Sequence, residues 1–170
     1  VGHNLINTFL YQIVVLKGGT HMNMGVCLAL AAVFEIPVMF GFAFLVARRD
    51  SSTWVRVGSI GIMLKIIFTL IVPNVISLYV VQVLQLFGFA TFVVATVYYA
   101  NQVVEECDRV KGQAYMTMSN TLGIVVASLL GGVLIDICGT NGMMIIGSVI
   151  AIIGSILIFI STTKEKVKMA

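Results

Sequence analysis

Residues 23–46 read NMGVCLALAAVFEIPVMFGFAFLV, an apolar run that contains one charged side chain, Glu35. An α-helix needs about 20 residues to cross the hydrocarbon core of a bilayer, and this run is long enough to do so. Apolar and polar residues do not alternate along it, as they would in a membrane-spanning strand. The stretch therefore predicts a transmembrane helix with an acid near its centre.

Five more apolar segments surround this run. Four of them are also long enough to span a membrane, at residues 54–72, 75–99, 114–135 and 143–160. The fifth, residues 4–16, is too short to span and starts within a helical pattern, so we expect the chain to be a fragment. Short connections make successive helices antiparallel. The sequence thus predicts an all-α integral membrane protein of six transmembrane helices, arranged as two inverted three-helix repeats.

The composition agrees with a membrane protein. Charged residues make up 10% of the chain and hydrophobic residues 59%, whereas soluble domains average roughly 25% and 45–50%. So few charges cannot cover the water-exposed surface of a soluble domain of this size. A soluble globular domain and a disordered chain are excluded, and the lack of a dense basic stripe argues against nucleic-acid binding. The expected surroundings are a lipid bilayer.

The basic residues lie on one side of the predicted bundle. Antiparallel alternation places eight of the ten there: Arg48, Arg49, Arg56, Arg109, Lys111, Lys164, Lys166 and Lys168. The opposite side has Lys17, and Lys65 is inside a span. Cytoplasmic loops are enriched in Lys and Arg, so the tail at 161–170 and the two longer loops are predicted to be cytoplasmic, in a plasma or inner membrane.

Glu35 and Lys65 are ionisable residues placed well inside predicted spans. Glu35 is 11 residues before Val46 and Lys65 is 11 residues after Trp54, so the two lie at about the same depth. A charge at mid-bilayer costs roughly 2.5–3.5 kcal/mol, which favours a pair or a shared polar cavity. Glu35 is then a candidate to bind a solute or a proton, and Lys65 would tune the pKa of Glu35. The alternatives are a structural ion pair or a Lys65 that reaches towards the interface.

Other polar residues follow helical faces in the apolar segments. Pro37, two residues after Glu35, frees a backbone carbonyl and can kink the helix beside the acid. Asn7 and Tyr11 form one row with His3, which we expect to have no role, and Gln82 and Gln85 share a face of the fourth segment. Further polar residues form stripes on the first and fifth segments: Asn4, Thr8, Gln12, Gln113, Thr117, Asn120 and Thr121.

Amides and hydroxyls supply both donors and acceptors, which suits a polyhydroxylated solute, although each could equally join helices. The small residues Gly147, Ala151 and Ser155 in the sixth segment predict close helix packing. The signatures GxSxG, HExxH and GxxxxGK[ST] are absent from the sequence. We therefore expect no enzymatic activity, no cofactor and no metal site.

Three motifs resemble the C-terminal half, helices seven to twelve, of a major facilitator superfamily transporter. Residues 131–139, with Gly131, Gly132 and Asp136, resemble the GGxLxDxxG at the outer end of helix eleven. Gly112-Gln113 resembles the GQ that opens that helix, and residues 35–39 resemble the ExPxM on helix eight of the lactose-permease-like and sugar-efflux-like branches. Arg48 and Arg49 lie where the family repeats a gating signature.

The resemblance implies half of a twelve-helix symporter of a sugar-like solute. In lactose permease an acid on helix eight binds the sugar and an Arg on helix nine supports proton handling, and Glu35 and Lys65 are at similar positions here. The relay residues of helix ten are replaced by Gln82, Gln85 and Gly88. The implied partners are an N-terminal six-helix half, a small polar solute and a proton.

Two other interpretations stay open from the sequence. A complete six-helix protein could assemble as an oligomer, with two chains forming one pathway. A non-transporting membrane scaffold would use Glu35 and Lys65 as a structural pair.

Overall fold

The computed structural model describes residues 1–169, with side chains for residues 1–163, and within this range it is helical with no strand. Six helices follow one another along the chain. α1 has two parts, and α4 has two α-helical parts joined by a π-helical segment. The bounds are α1, Gly2–Thr8 and Leu10–Leu16; α2, His21–Arg48; α3, Ser51–Ile71; and α4, Val75–Val81, Leu86–Ala90 and Thr91–Val103.

The remaining helices form one stretch, Arg109–Met169, after a short turn at Glu106–Asp108. Gly139 interrupts this stretch with φ 70° and ψ 176°, a conformation that favours glycine. The stretch is therefore two helices, α5 at 109–138 and α6 at 140–169. The side chains of Lys164, Lys166 and Lys168, and residue 170 of the predicted tail, lie outside what the structure describes.

The prediction of an all-helical membrane protein with six helices is confirmed. Four helical stretches are long and apolar enough to cross a membrane: His21–Arg48, Ser51–Ile71, Val75–Val103 and Glu106–Thr163, the last of which contains α5 and most of α6. Several helices extend beyond their predicted apolar runs, to Arg48 in α2 and to Val103 in α4. The backbone hydrogen bonds of a helix do not require apolar side chains, so a helix need not end where its apolar run ends.

Successive helices run in opposite directions, as the short connections predicted. At one end, here called the basic end, Ser51 of α3 bonds to Gln102 of α4 and Arg56 Nε donates to Thr162 Oγ1 of α6 at 2.7 Å. At the opposite end, Asn23 of α2 donates to the Tyr79 hydroxyl of α4 at 2.6 Å. The three-helix units α1–α3 and α4–α6 therefore have opposite orientations.

The turn between α1 and α2 lies at the opposite end and is fixed by polar contacts. Gly18 has φ 78°, and the Thr20 amide donates to the Asn23 side chain at 2.8 Å. The Lys17 ammonium donates to the Leu70 carbonyl at 3.1 Å, and partial burial lowers the pKa of Lys17 because it desolvates the charge. These contacts join the end of α1 to the end of α3.

Glycines bring α3 and α4 into backbone contact at the centre of the bundle. A Cβ atom at Gly61 would lie 2.4 Å from the Phe87 carbonyl oxygen and 2.6 Å from Gly88 Cα, and one at Gly58 would lie 2.7 Å from Phe92 Cα. Small residues allow membrane helices to approach this closely, where dispersion contacts and not the hydrophobic effect hold them. The crossing sets the position of α4 along α3.

The small-residue face predicted on α6 is a packing surface. Gly2 of α1 approaches it so closely that a Cβ there would lie 3.1 Å from the Gly147 carbonyl and 3.3 Å from Ala151. Ser155 Oγ donates to the Ser59 carbonyl of α3 at 3.2 Å. α1 and α3 thus both pack against α6. The largest apolar core cluster joins four helices at this place: Leu5, Ile6, Ile13, Ile66, Ala127, Met143 and Met144.

We expect Gly61→Ala to destabilise the protein, because the new methyl group would overlap Phe87 and force α3 and α4 apart. Overpacking of this kind costs about 1–3 kcal/mol. Gly25→Ala is the matched control, since a Cβ at Gly25 meets nothing within 4 Å. Thermal unfolding of the detergent-solubilised variants measures the effect, and equal melting temperatures would contradict the assigned contact.

Candidate solute-binding site

The winding of α4 changes in the middle of the membrane span. Between Val80 and Leu86 the backbone makes tight i→i+3 bonds, such as Gln85 N–H to Gln82 O at 2.9 Å. The wider π segment Leu86–Ala90 follows, and Thr91 Oγ1 donates to the Leu86 carbonyl at 2.8 Å. Such π segments are frequent at functional sites, and here the irregular winding sets the direction in which Gln85 leaves the helix.

Gln85 links the two ionisable residues of the spans. The Lys65 ammonium donates to Gln85 Oε1 at 2.5 Å, and Gln85 Nε2 donates to Glu35 Oε1 at 2.6 Å. The amide is a dipole whose negative end faces the cation and whose positive end faces the carboxylate. One amide group therefore satisfies two charges on two different helices, α2 and α3. We call Glu35, Gln85 and Lys65 the central cluster.

The three members of the central cluster differ in their exposure. Lys65 is 3% exposed and Gln85 is 2% exposed, whereas Glu35 is partly exposed. The ammonium therefore lies behind the amide, and the carboxylate is the charged group that a molecule beside α2 and α4 can reach. Of the two arrangements that the shared depth allowed, a pair or a common polar surrounding, the structure has the second: Glu35 and Lys65 form no ion pair within 4.0 Å among the described side chains, and Gln85 lies between them.

The glycine crossing between α3 and α4 explains why Lys65 meets Gln85. Lys65 follows Gly61 by one helical turn, and Gln85 precedes Gly88 by one turn. Because α3 and α4 are antiparallel and touch at Gly61 and Gly88, both side chains lie on the same side of the crossing. Glu35 comes from α2, which continues through Pro37 without a break in helical structure from His21 to Arg48.

The other residues that we predicted to bind solute lie outside the central cluster. Gln82 is buried and donates to the Leu78 carbonyl of its own helix at 3.3 Å. Tyr11 stacks on His21, with ring centroids 3.9 Å apart. Asn120 accepts from Asn4 at 3.5 Å. Gln82 and Gln85 therefore do not act together as their shared face predicted. Gln85 bonds to Glu35 and Lys65, whereas Gln82 bonds to its own helix.

The candidate gating residues occupy both ends of the bundle. At the basic end the Arg48 guanidinium lies over the Phe44 ring, 4.3 Å from its centroid, and Arg49 is exposed. Towards the opposite end, Gly131 faces Phe9 so closely that a Cβ would lie 2.1 Å from the ring. Gly132 has open space beside it, and Asp136 is exposed. Of these residues, Gly131 thus has a clear packing reason to be glycine.

His3 is a buried residue to which sequence reasoning gave no role. It is 8% exposed, its ring stacks on Phe89 of the π segment at 4.1 Å between centroids, and its Nε2 is 2.9 Å from Asn7 Nδ2. The spacing of four residues between His3 and Asn7 was the available signal, since i and i+4 side chains are neighbours on a helix.

The apolar outer surface and the alternating helices define a class, the multi-pass helical membrane proteins. Phe40, Met22 and Ile137 illustrate that surface, with exposures of 87%, 79% and 78%. Residues 1–169 match the profile of the Major Facilitator Superfamily, and the chain belongs to this family. Its members are membrane transporters and not, in general, enzymes. No curated protein and no solved structure matches the chain.

We expect Gln85→Leu to destabilise the protein strongly, because it removes both hydrogen bonds of the central cluster. Hydrogen bonds to charged groups contribute about 1.5–3 kcal/mol each, and an ordinary one about 0.5–1.5 kcal/mol. Gln82→Leu is the matched control, since its amide bonds to its own helix backbone. Unfolding of the two variants in detergent gives the comparison.

The loss of stability caused by Gln85→Leu should depend on the presence of Lys65. In a double-mutant cycle, Lys65→Met should make Gln85→Leu less damaging, since the stranded ammonium is then absent. Additive effects of the two substitutions would contradict the bridge.

Proposed function

We propose that the chain forms part of a secondary transporter that moves a small polar organic solute across the plasma or inner membrane by alternating access. The single observation that carries this proposal is the central cluster, where a reachable carboxylate is held at mid-span beside a shielded cation. Ionisable residues in spans are costly and usually mark a substrate or ion pathway. Glu35 is the residue that binds the solute.

The charge arrangement favours a neutral, hydroxylated solute of the sugar type over an anion. The Glu35 carboxylate has one hydrogen bond within the cluster and can accept others from solute hydroxyls. The Lys65 side chain is 3% exposed, so its ammonium is not accessible to a solute that contacts Glu35. An anionic solute would therefore meet the carboxylate and no compensating charge from Lys65.

A second six-helix unit would complete the pathway. Polar side chains of α1 and α5 are exposed on the bundle at membrane depth, namely Asn7, Thr8, Gln12, Thr117, Asn120 and Thr121. Such groups are expensive against lipid, so protein or a water-filled cavity must cover them. By its resemblance to helices seven to twelve, this chain would be the C-terminal half, and the covering unit the N-terminal half. Rocking of the halves about the central cluster would open it to each side in turn.

A proton is the second candidate cargo. Glu35 can be protonated, and a protonated carboxyl loses its charge while keeping a donor and an acceptor. Proton and solute can then bind to the same group in a linked cycle. The amides Gln82 and Gln85 cannot take this role, because they do not titrate.

The scaffold interpretation differs in one measurable respect. If Glu35 and Lys65 only hold helices together, exchanging the charges (Glu35→Lys with Lys65→Glu) should preserve every function, since Gln85 can turn its amide over between them. A solute site with its carboxylate moved from α2 to α3 should not survive the exchange. A transporter made of two copies of the chain is the other alternative, and crosslinking in membranes distinguishes it from a twelve-helix protein.

We expect Glu35→Gln to abolish solute accumulation while expression stays normal. The new amide oxygen can still accept a hydrogen bond from Gln85, but the side chain has no negative charge and cannot take up a proton. The measurement is concentrative uptake into proteoliposomes that contain the complete transporter. Glu105→Gln, an exposed acid beyond the end of α4, is the matched control and should retain uptake. Normal accumulation by the Glu35→Gln variant would contradict the proposed role of Glu35 in solute binding and coupling.

The proposed orientation, with the basic end in the cytoplasm, predicts unequal labelling of the exposed cysteines. Cys138 lies at the opposite end beside Gly139, and Cys107 lies in the loop at the basic end. A membrane-impermeant maleimide added to intact cells should label Cys138, and should label Cys107 only after permeabilisation. Cys138→Ser and Cys107→Ser variants assign the two signals, and the reverse pattern would invert the orientation.

A further inference from the structure

The guanidinium of Arg56, near the start of α3, is fixed in place by side chains of α6. Its Nε donates to Thr162 Oγ1 at 2.7 Å, and its Nη2 donates to Thr163 Oγ1 at 3.2 Å. The guanidinium carbon also lies 5.6 Å from the centroid of the Phe159 ring. Contacts with three residues hold this long side chain at the basic end, so a ligand would meet a cation that is already ordered.

The positive charge of Arg56 has no carboxylate beside it among the described side chains. The two ion pairs there join Arg109 to Glu106 and Lys111 to Asp108, all in or next to the turn between α4 and α5. A guanidinium has five N–H donors, and the two threonine hydroxyls do not use them all. Arg56 is also only partly buried. Its remaining donors and its charge are therefore available to an anion.

The part of α6 that leads from Arg56 towards the middle of the membrane is suited to lipid. Between Ile145 and Ile160, every exposed side chain of α6 is apolar. α5 differs, because it exposes Thr117, Asn120 and Thr121 at membrane depth. Polar groups of that kind need protein or water against them. Of these two neighbouring helices, α6 thus has the face that hydrocarbon chains can cover.

The exposed face of α6 matches one leaflet of a bilayer in length. Ile152, Ile156, Phe159 and Thr163 follow one another at intervals of three or four residues, so they share one side of the helix. Ile152 is 11 residues before Thr163, which is about 16 Å along the helix axis. Half of the hydrocarbon core of a bilayer is about 15 Å thick. A lipid whose acyl chains lie along Ile152 and Ile156 would therefore have its headgroup at the level of Arg56.

We propose that Arg56 and the exposed face of α6 form a binding site for a phospholipid with a net negative headgroup. The planar guanidinium matches two oxygens of a phosphodiester, and the acyl chains pack on Ile152 and Ile156. A zwitterionic phospholipid carries its own ammonium next to the phosphate, so it gains less from a cation that lacks an acidic partner. This site does not depend on the function proposed for Glu35.

The test is a titration of the complete transporter in detergent with dioleoylphosphatidylglycerol, in which native mass spectrometry resolves each bound lipid. We expect Arg56→Gln to weaken the binding of the first lipid about five- to tenfold, because a charge-assisted contact with the phosphate is lost. Arg109→Gln is the matched control. It removes the same charge at the same end of the bundle, but Arg109 is paired with Glu106, and the affinity should stay unchanged.

Further probes separate the headgroup from the acyl chains. Dioleoylphosphatidylethanolamine should bind more weakly than the phosphatidylglycerol, and so should dihexanoylphosphatidylglycerol, whose chains are too short to follow the face of α6. Glycerol 3-phosphate, which has no acyl chain, should not displace the bound lipid. If Arg56→Gln does not fold, Arg56→Lys replaces it. An ammonium keeps the charge but cannot pair with two phosphate oxygens as the guanidinium does, so this variant should also bind phosphatidylglycerol more weakly.

Four results would overturn the proposal. The first is phosphatidylglycerol binding that neither Arg56→Gln nor Arg56→Lys weakens. The second is an equal loss of affinity in Arg109→Gln, which would indicate general attraction to the basic end. The third is equal affinity for the ethanolamine and glycerol lipids, because the site would then not recognise headgroup charge. The fourth is displacement by glycerol 3-phosphate, which would assign Arg56 to a soluble phosphate compound.

Discussion

The backbone contact between Gly61 of α3 and Gly88 of α4 fixes the geometry on which the candidate site depends. Without Cβ atoms at the crossing, the two helices approach until their backbones touch, and Lys65 and Gln85 meet one turn away. Gln85 then spans the distance to Glu35 on α2. A wider separation would leave an ammonium in an apolar interior, where an unpaired charge costs several kcal/mol. The close packing of α3 and α4 is thus what allows the charge of Lys65 to be buried.

The sequence predicted the parts of this arrangement that follow from counting along a single helix. The apolar runs predicted the spans, and equal distances from Val46 and Trp54 predicted that Glu35 and Lys65 share a depth. The spacing of Gly147, Ala151 and Ser155 predicted a packing face on α6, which α1 and α3 occupy. These features depend on hydrophobicity and on helical period, which are local properties of a chain.

Contacts that depend on the relative rotation of two helices could not be predicted in this way. The tight and π-helical turns of α4 change the direction of Gln85 relative to Gln82, although a regular helix would give the two a common face. The burial of His3 needed the position of Phe89 on another helix. Likewise, the equal depth of Glu35 and Lys65 left a direct pair and a shared polar surrounding open, and only the position of Gln85 on a third helix decides between them.

The order of the three cluster residues along the chain has a consequence for how the protein enters the membrane. Helices emerge from the ribosome from the N-terminus onward, so Glu35 on α2 and Lys65 on α3 are synthesised before Gln85 on α4. Until α4 arrives, each of the two earlier helices carries an ion that disfavours insertion by roughly 2.5–3.5 kcal/mol. We therefore expect stable insertion of α2 and α3 to depend on the arrival of α4, whose Gln85 bonds to both charged groups. On this account α2, α3 and α4 insert as one cooperative unit, although each of them is apolar and long enough to span a membrane by itself.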